Sequence, residues 1–206
     1  MRYSIAVAKK VSSIMNPFPL TLAILLSVSY ASTNDLTIFT RWAIIIMISF
    51  VIAPIVYVYT KKALADNTVN SFQDPTAFFR VHRSQIWISG IISAILFIPL
   101  LVLFHAPPSL TATFAALMGT SLLLTLTNKY YKASFHLAIV TACVIVAVLT
   151  WGKAVLPVLI AIPFVGWARY ILNEHSPYQL ASGFGLALII TVFSFYYFGL
   201  LGKVII

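Results

Sequence analysis

From Ser84 to Asn128 the chain carries no Asp, Glu, Lys or Arg. A helix that crosses a bilayer needs about 20 predominantly apolar residues, so this one run is long enough for two. Further uncharged runs occupy 11–34, 42–60, 133–152, 154–168 and 176–202. A chain inside hydrocarbon must satisfy its own backbone hydrogen bonds, as helices or as a closed barrel. Barrel strands alternate apolar and polar residues, and no such alternation occurs here. The fold class expected is therefore all-α, a polytopic membrane helical bundle forming one integral-membrane domain over residues 1–206. Composition agrees: 61% of residues are hydrophobic and 8% are charged, against about 25% charged in soluble domains.

Seven spans are expected, at 14–32, 41–60, 85–105, 109–127, 134–151, 154–172 and 179–201, for a bundle of six to seven helices. His105-Ala-Pro-Pro108 divides the long run, because consecutive prolines cannot continue a helix and suit a turn. The N-terminal stretch is followed by an apolar run too long for a signal peptide, so the first helix is expected to be retained. The longest polar segment is 61–84, whose Ala77-Phe78-Phe79 suggests a surface-lying stretch. A lone cysteine, Cys143, sits among Val and Ile and reads as apolar filler.

Counting spans puts Arg2, Lys9, Lys10, Lys61, Lys62, Arg80, Arg83, Lys129, Lys132 and Arg169 on one face, against Arg41, Lys153 and Lys203 on the other. The positive-inside rule makes the first face cytoplasmic. The formal charge of +9 lies in short loops rather than on a soluble face. That distribution points to lipid phosphate or an anionic membrane surface and away from nucleic acid.

Three histidines, His82, His136 and His175, fall at this same face in or beside three different loops. Arg80 and Arg83 precede the third span, Lys129, Lys132 and Ser134 precede the fifth, and Arg169 ends the sixth. Ionisable groups at membrane depth are costly and mark function by default. The cluster is poor in the oxygen ligands that magnesium and calcium require, but it suits a multiply charged anion, with Arg forks on phosphate oxygens and Lys as a point charge. Ser134 can cap the fifth span, turning its free N–H groups and positive dipole end toward an anion. Ser176, Pro177 and Gln179 form the pattern of a capping box, which places His175 at the mouth of another helix. Two imidazoles at one phosphate site can divide the work of nucleophile and general acid.

Blander roles stay open for several residues. Arg80 and Arg83 also suit snorkelling anchors, and Lys129 with Tyr130 and Tyr131 suits an interfacial belt. His82 and His105 carry no motif, Ser176 and Gln179 suffice as caps, and Gly183 and Gly185 read as close-packing positions. Glu174, one of four acidic residues, is expected to be solvent-exposed.

At these positions the chain resembles the type 2 phosphatidic acid phosphatase superfamily, the vanadium-haloperoxidase-like group, whose three motifs are K-x6-RP, PSGH and SR-x5-H-x3-D. Arg169 and His175 match the third with its spacing, within Ala168-Arg-Tyr-Ile-Leu-Asn-Glu-His-Ser-Pro-Tyr-Gln179. Ala133-Ser-Phe-His136 matches the second, and Arg80-Val-His-Arg83 loosely matches the first, so the resemblance spans roughly residues 80–190. It implies a lipid phosphatase core in which His175 attacks phosphorus and His136 protonates the leaving oxygen. Arg80, Arg83, Lys132, Ser134 and Arg169 would hold the phosphoryl oxygens, with no metal or other cofactor. Implied substrates are membrane lipid phosphates such as phosphatidic acid, phosphatidylglycerophosphate or a prenyl pyrophosphate, in a bacterial cell membrane. The chain departs from the family at Ser84 and Phe135, and most tellingly at Gln179, where the family has an Asp that orients the nucleophile. Some divergent bacterial members carry similar K-I-S-x-H and H-T-P-x-Q patterns.

Overall fold

The computed structural model describes residues 2–57, 83–128 and 130–203. Among the described residues there are helices and turns but no strand, as the all-α reading expects. The helices are α1 (Arg2–Ile14), α2 (Pro17–Thr33), α3 (Leu36–Met47), α4 (Arg83–Leu103), α5 (Pro108–Thr127), α6 (Phe135–Trp151), α7 (Ala161–Ile171) and α8 (Pro177–Tyr197). Four helical stretches are long and apolar enough to cross a membrane: Leu36–Tyr57, Pro108–Thr127, Phe135–Ile171 and Pro177–Tyr197. A fifth span is added if α1 and α2, bent by 40° at their junction, count as one. These stretches are compatible with an integral membrane protein. Arg80, His82 and Lys129, together with the polar segment that includes Ala77-Phe78-Phe79, lie outside the described residues.

The first expected span is broken where the sequence places Asn16 before Pro17. A residue preceding proline is pushed out of the α region, and Asn16 is extended at φ −64°, ψ 130°. Its side chain accepts the Phe18 N–H (3.0 Å), so a helix starts cleanly at Pro17. Upstream, the residues around Lys9 and Lys10 form α1, a helix the sequence reading did not anticipate. The last helix also ends earlier than expected, at Tyr197. Gly199 takes the left-handed conformation at φ +67°, and the Leu200 N–H returns to the Phe195 carbonyl (2.9 Å), a common helix stop.

Between α6 and α7 the chain remains helical, through a 3-10 segment at Gly152–Ile160, yet it doubles back. Gly152 breaks α6 at φ +66°, ψ −141°, and Val165 of α7 packs with Leu137, Val140 and Val144 of α6. A straight helix would separate Leu137 from Val165 by about 40 Å, so the two segments are antiparallel. This reversal brings Arg169, near the end of α7, level with His136, near the start of α6.

The helices group into two compact units, divided between Leu36 and Thr37 and between Ala106 and Pro107. In the larger unit, α8 packs on α5 and α6, α2 packs on the same pair, α7 lies against α6, and α1 lies against α7. In the smaller unit, α3 continues through a π-helical turn at Ile48–Ile52 that precedes Pro54. Proline cannot donate to the Phe50 carbonyl and crowds it, and the wider turn takes up the mismatch. Trp42 is fully buried there, edge-on to Phe97 at 6.3 Å. Arg83 is the first residue of α4 in this unit. His105 closes the same helix in the left-handed conformation (φ 50°), ahead of the expected Pro107-Pro108 turn.

Candidate functional site

Three helix ends of the larger unit define the site: the start of α6, the end of α7 and the start of α8. Ser134 is the N-cap of α6, extended at φ −78°, ψ 103°, and its hydroxyl accepts the Leu137 N–H (3.4 Å). The Ser134 N–H is itself donated to the Gln179 carbonyl (3.0 Å). Gly183, one turn further along α8, makes that approach possible: a Cβ there would lie 2.7 Å from the Ser134 carbonyl oxygen. The close-packing role expected of Gly183 is therefore present, whereas a Cβ on Gly185 would meet nothing within 4 Å. Ser134 is fully buried. In this arrangement it caps α6 and locks it to α8 rather than presenting its hydroxyl to an anion.

The capping box expected before α8 is present. Ser176 Oγ accepts the Gln179 N–H (3.4 Å), and Gln179 Oε1 accepts the Ser176 N–H (3.0 Å). The Gln179 amide oxygen is thus bonded to backbone, its side chain also neighbours the His175 imidazole at hydrogen-bonding range, and His175 Nδ1 is buried without a hydrogen-bond partner among the described residues. The neighbouring loop is shaped by Asn128, whose Oδ1 accepts the Ala133 N–H (2.7 Å). Lys132 in that loop is exposed, within electrostatic range of His175.

Arg169 lies in the last turn of α7. Asn173 takes the left-handed conformation (φ 55°), ending the helix and turning the chain back so that the Glu174 N–H reaches the Arg169 carbonyl (3.2 Å). The same turn pairs the Glu174 carboxylate with Arg169 Nη2. Glu174 is exposed, as expected, but it is not idle: it is the ion-pair partner of the candidate anion clamp. Arg169 Nη1 donates to Ser12 Oγ of α1 (3.0 Å). The imidazole of His136 faces the Met15 backbone carbonyl just beyond the same helix, and its Nε2 is buried with no partner among the described residues. Arg169, His136 and His175 lie within electrostatic range of one another.

His175 sits outside the membrane-spanning stretches, and its pKa is held below the ordinary imidazole value. Burial is the larger cause, followed by the positive charge of Arg169 and, more weakly, of Lys132; Gln179 and Glu174 act in the opposite sense. The ring is consequently uncharged near neutral pH, the form a nucleophile requires. A proton held less readily in the folded than in the unfolded chain gives a stability contribution that is full above about pH 6.5 and declines as pH falls toward the depressed folded value.

Gln179→Glu tests this balance. Glutamate serves equally at this position of a capping box, but it adds a negative charge that favours the imidazolium. The acid limb of the pH–rate profile is expected to move to higher pH, with the helix intact by circular dichroism. An unmoved limb would show that position 179 does not act on His175.

Of the site residues read from the sequence, His136, His175, Arg169, Lys132, Ser134 and Gln179 are brought together in one unit. Arg80 is outside the described residues, and Arg83 belongs to the other unit. The contributions missed in the sequence are Ser12 and the Met15 carbonyl, both supplied by the unanticipated α1, and the Glu174 pairing. Asn16-Pro17, a helix-start signal, was the available clue that the residues before it form a separate helix. No protein-family model, curated protein or solved structure matches this chain.

Proposed function

We propose that this protein is an integral-membrane lipid phosphatase that hydrolyses a lipid phosphate monoester or pyrophosphate through a phosphohistidine. The observation that carries the reading is the placement of one arginine within range of two imidazoles, each with a buried, unpartnered ring nitrogen, where three helix ends meet. Such a combination serves an oxyanion flanked by two proton-handling groups.

In the first step a neutral His175 attacks phosphorus. With Nδ1 enclosed, Nε2 is the nitrogen that forms the N–P bond as the P–O bond to the lipid breaks. His136 delivers a proton to the departing oxygen, and Arg169 and Lys132 stabilise the charge on the phosphoryl oxygens. In the second step His136 takes a proton from water as its oxygen attacks phosphorus, releasing inorganic phosphate and restoring His175. Substrate acyl or prenyl chains stay in the bilayer while the headgroup reaches the site, which faces the cytoplasm of a bacterial cell.

Two other activities share this site. The commitment of Gln179 to its capping box leaves His175 without a carboxylate orienter, which favours a lipid-phosphate binding or transport protein. A phosphotransferase would pass the phosphoryl group to an alcohol instead of water. Purified protein in detergent, supplied with phosphatidic acid, phosphatidylglycerophosphate and prenyl pyrophosphates, is expected to release phosphate from at least one. Binding without release favours the binder, phosphorylation of an added alcohol favours the transferase, and inertness toward all three substrates rejects the phosphatase.

A further inference from the structure

Arg169 has three nitrogens with three different fates. Nη1 donates to Ser12 Oγ at 3.0 Å, Nη2 pairs with the Glu174 carboxylate, and Nε is buried with no hydrogen-bond partner among the described residues. The guanidinium side chain is 17% exposed and that of Glu174 is 42% exposed, so the carboxylate approaches from the solvent side while the arginine stays anchored. Ser12 lies on α1, which packs along α7. Glu174 sits in the turn at Asn173, beyond the last turn of α7.

A phosphoryl oxyanion that engages an arginine in bidentate fashion needs two adjacent N–H groups. On Arg169 the Nε–Nη2 edge is the one not tied to Ser12, and half of it is covered by Glu174. We propose that Glu174 is a placeholder: its carboxylate occupies the anion seat on Arg169 in the empty site and is displaced by an incoming phosphoryl oxyanion, while Ser12 keeps the guanidinium in position. The ligand then bonds Nη2 in place of the carboxylate and satisfies Nε as well. The empty site avoids an unpaired cation, and anion binding is weakened by the competition. Glu174 is the solvent-facing partner of the pair, so its side chain can swing into solvent and vacate the seat without unfolding. This inference rests on the anion-site reading above and concerns how that seat is opened.

Orthovanadate, a phosphate-shaped oxyanion, is titrated calorimetrically into the detergent-purified full chain. Glu174→Gln is expected to tighten binding about 2- to 5-fold, and adding Arg169→Ala to that variant is expected to abolish it. Ser12→Ala is expected to weaken binding, with Ser12→Thr restoring it. Asp35→Asn removes the same charge at the opposite end of α2, about 25 Å along that helix, and is expected to change nothing. Unchanged or weaker binding in Glu174→Gln overturns the proposal, including the case in which neither protein binds. Equal tightening in Asp35→Asn overturns it too, since the effect would then be one of net charge. Short-chain phosphatidic acid that displaces vanadate assigns the seat to a lipid headgroup, and displacement by inorganic phosphate alone assigns it to the free ion; either result supports the placeholder. Tighter binding in Glu174→Gln without phosphate release from any lipid leaves the placeholder standing and removes the phosphatase reading alone.

Discussion

His175→Ala is expected to lower phosphate release by about 10⁴-fold or more, the scale on which losing a covalent nucleophile is felt. The side chain lies at the mouth of α8, directly before the Ser176–Gln179 capping box, and it takes no part in the hydrogen bonds of that box. Helix geometry should therefore survive its removal. Truncation removes an Nδ1 that is buried and unpartnered among the described residues together with the ring's interaction with the Gln179 side chain, and thermal stability is expected to stay within about 1 kcal/mol of wild type. His136→Ala, which removes the proton donor of the first step and the base of the second but keeps the nucleophile, is expected to cost less, about 10²- to 10³-fold. Equal losses in the two variants, or loss of fold in His175→Ala, would contradict the division of roles.

Gly183→Ala carries the largest expected effect on stability. The added methyl would stand 2.7 Å from the Ser134 carbonyl oxygen and 3.3 Å from its nitrogen. Both are backbone atoms, and Ser134 is held by its own N–H bond to Gln179 and by its cap on Leu137. No rotamer change relieves the contact, so α6 and α8 must part. Overpacking of this kind costs about 1–3 kcal/mol, and displacing His136 from His175 by even 1 Å is expected to lower turnover about 10²-fold. Gly185→Ala, one helical turn's fraction away and facing open space, is the matched control and is expected to be silent. Thermal melts and phosphate release on the two variants, measured together, check the claim; equal behaviour would show that the α6–α8 contact does not set the site.

The features that could be read in advance are those written in local chemistry. Ser176-Pro-Tyr-Gln179 specified a capping box because serine, proline and glutamine each favour those positions for independent reasons, and the box is present. Ser134 was recognisable as a cap by the same logic, and the prolines at 107 and 108 as a turn. Long uncharged runs identified apolar helices, and the break expected between 151 and 154 coincides with the reversal at Gly152. The hairpin of α6 and α7 depends on the conformation of Gly152 and on packing between Val165 and Leu137, residues remote in sequence. The setting of Arg169 is also non-local. Ser12 lies 157 residues from Arg169, and nothing in either neighbourhood announces the other. Glu174 is close in sequence, but only the left-handed Asn173 swings it onto the guanidinium.

Covalent catalysis at His175 is tested most directly by trapping the intermediate. Detergent-purified protein is mixed with phosphatidic acid, phosphatidylglycerophosphate or a prenyl pyrophosphate carrying radiolabelled phosphate, and quenched in base, where a phosphohistidine persists. Wild-type protein is expected to carry label that acid removes, with none on His175→Ala and accumulated label on His136→Ala, whose hydrolytic step lacks its base. Phosphate release from wild type with no protein-bound label, or equal label on His175→Ala, would contradict covalent catalysis at His175.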